Sequence, residues 1–347
     1  MKAAVFQGPG KPLVIENVPD PTPGPAELVL KVKACGICGS DLHFADVHDT
    51  DGGLNPLPRG TVMGHEFAGE VVALGGEAKS TWRVGARVTA LPYIACGHCA
   101  FCLSGKGHRC ERSIVTGFGR NPGAYAEYVR VGAYEALALP EQVDYRAGAM
   151  VEPLAVGLHA VHAAHLQGGE SVLVIGAGPI GLATTLWCRF FGARHVITSD
   201  LVRTRMDRAA DFGATAQIDA SSEDVVERCK QITGDRPQVV FDCVGVPGSQ
   251  QLAMDYAPAE GRIVVVGVCM QPDRIIPVKA ITKELQVAYV LGYRRQDFAF
   301  CIDMLASRRV DARAMMSGAV GFERLSATFE ALKTSKNECK VMLEAGL

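Results

Sequence analysis

Four cysteines lie close together at a spacing that suits a metal ion. They stand in Cys96-Gly-His-Cys99-Ala-Phe-Cys102, and Cys110 follows eight residues later. Four thiolates can close a tetrahedron around Zn²⁺ and leave no position open for substrate, so we expect a structural zinc. His98 and His108 lie in the same segment, and we expect them at the surface because four sulfurs already suffice. A loop of exposed free thiols is the alternative.

A second set of metal-binding side chains is dispersed along the chain. Its members are Cys38, His65, Glu66 and Glu152. A catalytic zinc takes about three protein ligands and keeps one position open. One thiolate, one imidazole and one carboxylate meet this requirement, and the two glutamates compete for the carboxylate position. Two ordinary alternatives stay open, namely a redox pair of Cys35 with Cys38 and a core histidine at position 65.

A glycine-rich turn predicts a site for a dinucleotide. Residues 171–175 form an apolar, β-branched run typical of a strand, and residues 182–191 form an apolar helical stretch. Between them stands Gly176-Ala-Gly178-Pro179-Ile180-Gly181. In this context the first glycine makes the turn, the second admits the pyrophosphate and the third lets the helix pack on the strand. The N-terminus of the helix attracts the phosphates.

An acidic residue follows the next predicted strand. Residues 195–200 end in Asp200, nineteen positions after the last glycine of the turn. A carboxylate at this distance binds the ribose hydroxyls and favours NAD, because it would repel the 2′-phosphate of NADP. Arg203 and Arg205 follow directly. They are either charges on a helix face or partners of a 2′-phosphate, so NADP is the alternative cofactor.

Strand and helix patterns continue to alternate after Asp200. Residues 239–244 and 262–267 are predicted strands, and residues 248–256 between them form a predicted short helix. This alternation predicts a parallel, doubly wound sheet. The stretch 171–188 carries no charge and approaches the length of a membrane helix. Its glycines and proline instead favour a buried strand, a turn and a buried helix.

The composition excludes several classes of protein. The chain has 347 residues, which suggests two domains at roughly 150 residues each. Its net charge of −2 and pI near 6.5 argue against binding to nucleic acid, including by a zinc ribbon. The 48% hydrophobic content argues against disorder. The N-terminal segment lacks the apolar core of a signal peptide, so we expect a cytoplasmic protein with reduced thiols and no membrane association.

Five motifs follow one another along the chain. They are Cys35-Gly-Ile-Cys-Gly-Ser-Asp-Leu-His43, Gly64-His-Glu-Phe-Ala-Gly-Glu-Val71, the four-cysteine segment, Val151-Glu-Pro-Leu154 and the glycine turn. In this order they resemble the zinc-dependent medium-chain dehydrogenases/reductases, the alcohol dehydrogenase superfamily, and the resemblance covers essentially the whole chain. Glu152 stands in place of the cysteine ligand of typical alcohol dehydrogenases, and in this the chain resembles the branch of sorbitol, butanediol and threonine dehydrogenases.

The resemblance implies an α/β fold in which a Rossmann doubly wound parallel sheet is joined to a GroES-like β-rich catalytic domain. It places the catalytic domain with both zinc sites at residues 1–153 and the NAD-binding domain at residues 154–290. Residues 291–347 then return to the catalytic domain. It also implies a homo-oligomer formed through the edges of the Rossmann domain, and we expect a tetramer, with a dimer as the alternative.

The resemblance further implies a reversible hydride transfer between a small alcohol, or its ketone, and NAD, with two zinc ions per chain. Cys38 and His65 hold the catalytic zinc, and either glutamate of the dispersed set supplies the third ligand. By the same resemblance, Ser40 and His43 pass the proton of the alcohol to solvent. A non-catalytic zinc-scaffold protein that retains the fold is the rival interpretation.

Residues near the predicted site indicate the substrate class. Sorbitol dehydrogenases carry an arginine beside the tyrosine that we align with Tyr293, whereas this chain has Gly292 there. We therefore expect a secondary alcohol or a vicinal diol, and polyol or L-threonine 3-dehydrogenase activity is the alternative. Phe44 and the Phe118 region are expected to line the pocket. Residues 49–58 resemble a loop of the butanediol branch and are expected to wall the cleft.

Overall fold

The computed structural model describes residues 1–47, 56–335 and 337–347, which divide into two compact units. The first unit contains the described residues up to Glu152 and those from Arg294 onward, and the second contains Pro153–Tyr293. The chain thus leaves the first unit after Glu152 and returns to it at Arg294. No helix among the described residues is long and apolar enough to cross a membrane.

The first unit is rich in β-strands. Within the described residues, its largest sheet has seven strands in the order β16-β17-β3-β4-β5-β9, with β8 paired to β3, and two two-stranded sheets, β1-β2 and β6-β7, complete it. The strands are β1 (Lys2–Val5), β2 (Val14–Asn17), β3 (Glu27–Gly36), β4 (Glu66–Leu74), β5 (Arg87–Ala90), β6 (Tyr93–Ile94), β7 (Ile114–Val115), β8 (Tyr128–Gly132), β9 (Ala136–Ala138), β16 (Met316–Val320) and β17 (Lys340–Leu343).

Several helices accompany these strands, and one of them leads out of the unit. They are α1 (Gly39–Phe44), α2 (Ala100–Leu103), α3 (Tyr145–Ala149), α10 (Arg295–Ala306), α11 (Phe322–Leu332) and α4 (Val151–Ala163), whose later part belongs to the second unit.

The pairing of β3 with β4 brings the dispersed metal-binding residues together. The two strands are antiparallel, and Gly36 at the end of β3 lies opposite Glu66 at the start of β4. Residues that follow β3 and residues that precede β4 therefore meet at one edge of the sheet. Apolar side chains such as Leu30, Phe67 and Phe329 are buried in the core of this unit.

The second unit confirms the predicted doubly wound sheet. Within the described residues, six parallel strands lie in the order β12-β11-β10-β13-β14-β15, which reverses direction between β10 and β13. Such a switch point is where nucleotide ligands bind in these folds. The elements are β10 (Ser171–Ile175), α5 (Pro179–Phe190), β11 (His195–Asp200), α6 (Arg203–Ala209), β12 (Ala216–Asp219), α7 (Val225–Thr233), β13 (Val239–Asp242), α8 (Ser249–Tyr256), β14 (Arg262–Val265), α9 (Pro277–Thr282) and β15 (Gln286–Tyr289).

Several predicted boundaries in this unit were displaced by a few residues. Helix α5 begins at Pro179 rather than at residue 182, because proline suits the first helical position. Strands β13 and β14 each end two residues early, at Asp242 and Val265. The uncharged stretch 171–188 consists of the fully buried β10, the glycine turn and most of the largely buried α5, so burial in the core of the second unit accounts for its hydrophobicity.

Candidate active site

The four clustered cysteines form what we call the cysteine lobe, residues 96–110. Their Sγ atoms all lie within 4.8 Å of one another. Cys102 Sγ is 3.5 Å from Cys99 Sγ and 3.9 Å from Cys96 Sγ. A zinc tetrahedron with Zn–S bonds of about 2.3 Å has S–S edges of about 3.8 Å. None of the four is in a disulfide, so the set fits a zinc ion.

The backbone of the cysteine lobe favours thiolates. The N–H group of His98 donates to the sulfur of Cys96 and is the main reason that the pKa of Cys96 falls to about 6. Desolvation instead raises the pKa of Cys102 to about 12. A cation among the sulfurs would draw all four into the ionised form. The His98 ring is exposed, and its Nδ1 lies 2.6 Å from the carbonyl oxygen of Cys96.

A second cluster, which we call the mixed-ligand cluster, contains Cys38, His65 and Glu66. Their ligand atoms also lie within 4.8 Å of one another. Cys38 is the N-cap of α1 and is half-buried, whereas His65 is 6% exposed and Glu66 is fully buried. Among the described residues, Glu152 is buried but is not part of this set. One thiolate, one imidazole and one carboxylate fit a zinc ion that keeps an open position.

Asp41 positions His65 by a contact with the Nδ1 atom of its ring. Its Oδ1 lies 3.2 Å from His65 Nδ1, and its Oδ2 accepts a hydrogen bond from the Cys38 N–H group at 3.4 Å. Burial alone would raise the pKa of Asp41, but the charge and hydrogen bond of His65 hold it below its usual value. Burial would lower the pKa of His65, but Asp41 and Cys38 raise it well above its usual value. This pairing leaves His65 Nε2 as the ligand atom.

Lys340 holds Glu66. Its Nζ donates to both carboxylate oxygens of Glu66, at 2.6 and 2.7 Å, and to the carbonyl oxygen of Ile37 at 3.1 Å. Burial is the largest single influence and would lower the pKa of Lys340, but the charges of Glu66, Cys38 and Glu152, together with the hydrogen bonds to Glu66, outweigh it and the pKa is raised. Each carboxylate oxygen has a second lone pair, so Glu66 can face a metal ion while it remains paired with Lys340. Glu152 also acts on Lys340 through its charge.

Ser40 and His43 lie three residues apart on α1, next to this cluster. The Ser40 hydroxyl donates to Cys38 Sγ at 3.3 Å, and His43 is exposed to solvent. Two aromatic side chains border the same place. The Phe118 ring centroid is 5.2 Å from that of His65 and 5.0 Å from that of Phe44. Most of the predicted wall at 49–58 lies outside the described residues.

The glycine turn has the shape that a dinucleotide requires. Gly176 adopts φ +94°, and a Cβ atom on Gly181 would lie 1.8 Å from the Gly176 carbonyl oxygen, so both positions need glycine. A Cβ atom on Gly178 would meet nothing within 4 Å. This open space lies at the N-terminus of α5, which Pro179 and Ile180 begin, and it gives a pyrophosphate room to approach the backbone.

Asp200 lies at the end of β11, beside the glycine turn. Its Oδ2 accepts a hydrogen bond from the Ala177 N–H group at 2.7 Å, and its Oδ1 accepts one from Val202 at 2.8 Å. Arg203 is exposed and pairs with Asp207 on the same helix at 3.1 Å. Arg205, two residues further along the chain, is half-buried. The carboxylate is therefore held in place next to the turn before any ligand binds.

Comparison with known proteins identifies the family. The family model for the alcohol dehydrogenase GroES-like domain matches residues 24–141, and that for zinc-binding dehydrogenases matches residues 179–307. A curated sorbitol dehydrogenase from Bacillus subtilis (strain 168) is 32% identical, covering 99% of this chain and 97% of that protein. This chain belongs to the zinc-dependent medium-chain dehydrogenases/reductases.

Solved structures of similar dehydrogenases share the whole fold. A zinc-binding dehydrogenase from Sinorhizobium meliloti 1021 bound to NADP has a TM-score of 0.87 and 32% identity, covering 99% of this chain and 98% of that one. An Escherichia coli CFT073 alcohol dehydrogenase complexed with NADH has a TM-score of 0.88 and 29% identity, covering 99% of both. The 2R,3R-butanediol dehydrogenase of Bacillus subtilis has a TM-score of 0.86 and 30% identity, covering 99% of both.

Family membership confirms the predicted fold class, reaction class and cofactors. The dehydrogenase is an oxidoreductase that acts on CH–OH groups of small molecules and uses zinc and NAD(P). Sequence reasoning assigned no role to three buried residues around the mixed-ligand cluster, namely Asp41, Tyr125 and Lys340. Asp41 stands inside the Cys35–His43 motif, so its position in the sequence could have indicated a role at the zinc site. Lys340 is the first residue of a buried, otherwise apolar strand, which was a weaker indication of such a role.

Proposed function

We propose that this dehydrogenase interconverts a secondary alcohol or vicinal diol and its ketone, with NAD as the hydride carrier. The observation that carries the proposal is the convergence of Cys38, His65 and Glu66 at one edge of the β3–β4 pair. We assign both zinc sites to the first unit, as the catalytic domain, and the dinucleotide to the second. The cysteine lobe holds the structural ion.

The residues of the mixed-ligand cluster have separate tasks. Bound zinc supplies Lewis acidity that lowers the pKa of an alcohol hydroxyl. Cys38 and His65 hold the ion, and a carboxylate of Glu66 or Glu152 completes the set directly or through water. NAD, held by the glycine turn and Asp200, would supply the hydride acceptor for the carbinol carbon.

The hydroxyl proton needs a separate route to solvent. We assign it to Ser40 Oγ, which is half-buried beside Cys38, and then to the exposed imidazole of His43. A hydroxyl can both accept and donate a proton, and an imidazole ring can take up a proton on one nitrogen and release one from the other. Intact Cys38, His65, Ser40 and His43 argue against a non-catalytic scaffold.

NAD is the proposed cofactor because Asp200 is fixed beside the glycine turn. NADP is the alternative, since one similar dehydrogenase structure contains it and another contains NADH. Arg203 already pairs with Asp207, so it is less available to bind a 2′-phosphate.

Asp200→Ala tests this cofactor choice. It should raise the Kd for NADH by about 10- to 100-fold, because the ribose loses its hydrogen bonds to a charged group. The Kd for NADPH should change much less in fluorescence titrations, and equal losses would refute the ribose role.

The proposed substrate class rests on the aromatic side chains beside His65. Phe44 and Phe118 offer an apolar surface that suits a short alkyl substituent better than a row of hydroxyls. Gly292 in place of the arginine of sorbitol dehydrogenases points the same way. The butanediol dehydrogenase among the similar proteins also favours a vicinal diol. The sorbitol dehydrogenases keep polyols as an alternative, and the L-threonine 3-dehydrogenases keep L-threonine as a further one.

A substrate panel tests the proposed function most simply. Secondary alcohols, vicinal diols, sorbitol and L-threonine, together with the corresponding ketones, would be assayed with NAD(H) and NADP(H) while zinc per chain is measured. We expect the highest kcat/KM for a secondary alcohol or vicinal diol with NAD, at two zinc ions per chain. Exclusive turnover of sorbitol or L-threonine would replace the substrate class. Absence of all turnover would favour the scaffold interpretation.

We also propose a cytoplasmic homotetramer. Strand β15 is the last strand of its sheet, and apolar side chains near it, including Ile281 and Leu291, are more than 70% exposed. Leu103 in the cysteine lobe is 77% exposed. A tetramer with two kinds of two-fold interface needs two self-complementary surfaces, and these patches supply two candidates. Light scattering after size exclusion distinguishes a tetramer from the alternative dimer.

A further inference from the structure

We propose that Tyr125 is a positioning residue for the catalytic zinc site, acting through Asp41 on His65. The inference rests on the proposed zinc site. The Tyr125 hydroxyl donates to Asp41 Oδ2 at 2.6 Å, and Asp41 Oδ1 lies 3.2 Å from His65 Nδ1. Tyr125 and Asp41 are fully buried and His65 nearly so. The three side chains thus form a chain of hydrogen bonds that runs from Tyr125 through Asp41 to His65, a proposed zinc ligand.

The hydroxyl of Tyr125 is a permanent donor in this line. Burial and the charge of Asp41 raise the pKa of Tyr125 well above its usual value, so the hydroxyl keeps its proton. Asp41 Oδ2 accepts the hydrogen bond from this hydroxyl and a longer one from the Cys38 N–H group. A hydroxyl that donates to a carboxylate forms a short and strong hydrogen bond, in agreement with the 2.6 Å distance.

The ring of Tyr125 is fixed independently of its hydroxyl. Gly64 adopts φ +95°, and a Cβ atom there would lie 2.5 Å from Tyr125 Cδ1, so the ring rests on the backbone just before His65. Phe329 packs against it edge to face at 6.3 Å. A phenylalanine at position 125 would keep these contacts and lose only the hydroxyl. The packed ring therefore holds the hydroxyl in place, and the hydrogen bond from this hydroxyl fixes the orientation of the Asp41 carboxylate.

Without this hydroxyl, Oδ2 of Asp41 retains a hydrogen bond of 3.4 Å from the Cys38 N–H group. Such a long bond constrains a carboxylate weakly. Asp41 then gains freedom to turn, and His65 loses the fixed partner that sets the direction of its ring. Loss of a partner behind a metal-binding histidine typically lowers metal affinity by about 10- to 100-fold.

The test is Tyr125→Phe in the full-length enzyme loaded with zinc, challenged with a chelator. We expect one of the two zinc ions to be released at least about 10-fold more readily. The other ion, held by the cysteine lobe, should be released as in the wild type. Tyr128→Phe removes the same hydroxyl three residues further on, from a half-buried residue outside the line, and should match the wild type. With Co²⁺ in the mixed-ligand cluster, the visible absorption bands should shift in Tyr125→Phe and not in Tyr128→Phe.

A double-mutant cycle of Tyr125→Phe with Asp41→Asn still tests the inference if either variant loses stability. Because Tyr125 acts through Asp41, the double variant should release zinc no faster than Asp41→Asn alone. Additive effects would overturn the inference, as would a Tyr125→Phe enzyme that behaves like Tyr128→Phe while the wild type holds two zinc ions and turns over alcohol. A wild-type enzyme with zinc in the cysteine lobe alone would overturn the proposed function as well, so the two failures are distinguishable.

Discussion

The two metal-binding clusters of the first unit are built in opposite ways. The cysteine lobe takes all its ligands from one short segment, and three of its four cysteines are half-exposed. The mixed-ligand cluster takes its ligands from the start of α1 and the start of β4, and it is mostly buried. The first depends on the spacing of cysteines in a loop. The second depends on the pairing of β3 with β4.

The groups that stabilise the ligands also differ between the two clusters, being local in one and distant in sequence in the other. In the cysteine lobe, backbone N–H groups of the loop itself stabilise the thiolates. In the mixed-ligand cluster, Asp41 and Lys340 are buried charges that hold His65 and Glu66. A structural site with four thiolates needs only a loop of the right shape. A site that keeps one position open for substrate has fewer ligands, and each must be held by a partner.

The largest expected effect is that of Cys38→Ser. Removal of the thiolate should release the catalytic zinc, and the loss of several kcal/mol of transition-state stabilisation lowers kcat/KM by at least about 1000-fold. The zinc content should fall from two ions per chain to one. Circular dichroism and NADH binding should stay as in the wild type. A variant with normal kcat would exclude a catalytic role for this cluster.

Cys99→Ser tests the cysteine lobe in the same way. The cysteine lobe should lose its zinc, and with it folding free energy on the order of 5 kcal/mol, which lowers Tm by about 10–20 °C. Thermal unfolding and zinc analysis provide the measurements. Protein that escapes unfolding should retain catalytic zinc and turn over alcohol. Two zinc ions per chain in this variant would show that the lobe is wrongly assigned.

Lys340→Met tests the buried support of the mixed-ligand cluster. It leaves Glu66 as an unpaired buried carboxylate, which should lower the free energy of unfolding by about 3 kcal/mol in denaturant titrations. The matched control is Arg203→Met, which breaks the exposed pair with Asp207 and should change stability by less than about 1 kcal/mol. Equal losses in the two variants would mean that the buried pair adds no support.

The smallest expected effect is that of His98→Gln in the cysteine lobe. Because four sulfurs suffice and the His98 ring is exposed, zinc should remain at two ions per chain. Stability should change by less than about 0.5 kcal/mol, as for most surface substitutions. Loss of one zinc ion from this variant would make His98 a ligand and reopen the assignment of the lobe.

The difference between the clusters also decides how far the sequence could predict them. Short-range spacing alone identified the four cysteines, and the strand–turn–helix context identified Gly176 to Gly181. Cys38 and His65 lie far apart in sequence. Their ligand chemistry made them candidates, and the family resemblance assigned them to one zinc ion, because the β3–β4 register cannot be derived from residue types. Lys340 is separated from Glu66 by 274 positions, and no local pattern connects the two. The predicted sheet was correct, but turn geometry moved several of its strand and helix ends.

Anomalous diffraction at the zinc absorption edge, on crystals of the purified enzyme, is the most direct measurement of the difference between the two clusters. Two peaks per chain are predicted. One lies among the four sulfurs of the cysteine lobe, and the other contacts Cys38 Sγ, His65 Nε2 and a carboxylate oxygen of Glu66 or Glu152. A single peak in the lobe, or a second peak that does not contact Cys38 and His65, would contradict the assignment of a catalytic zinc to the mixed-ligand cluster.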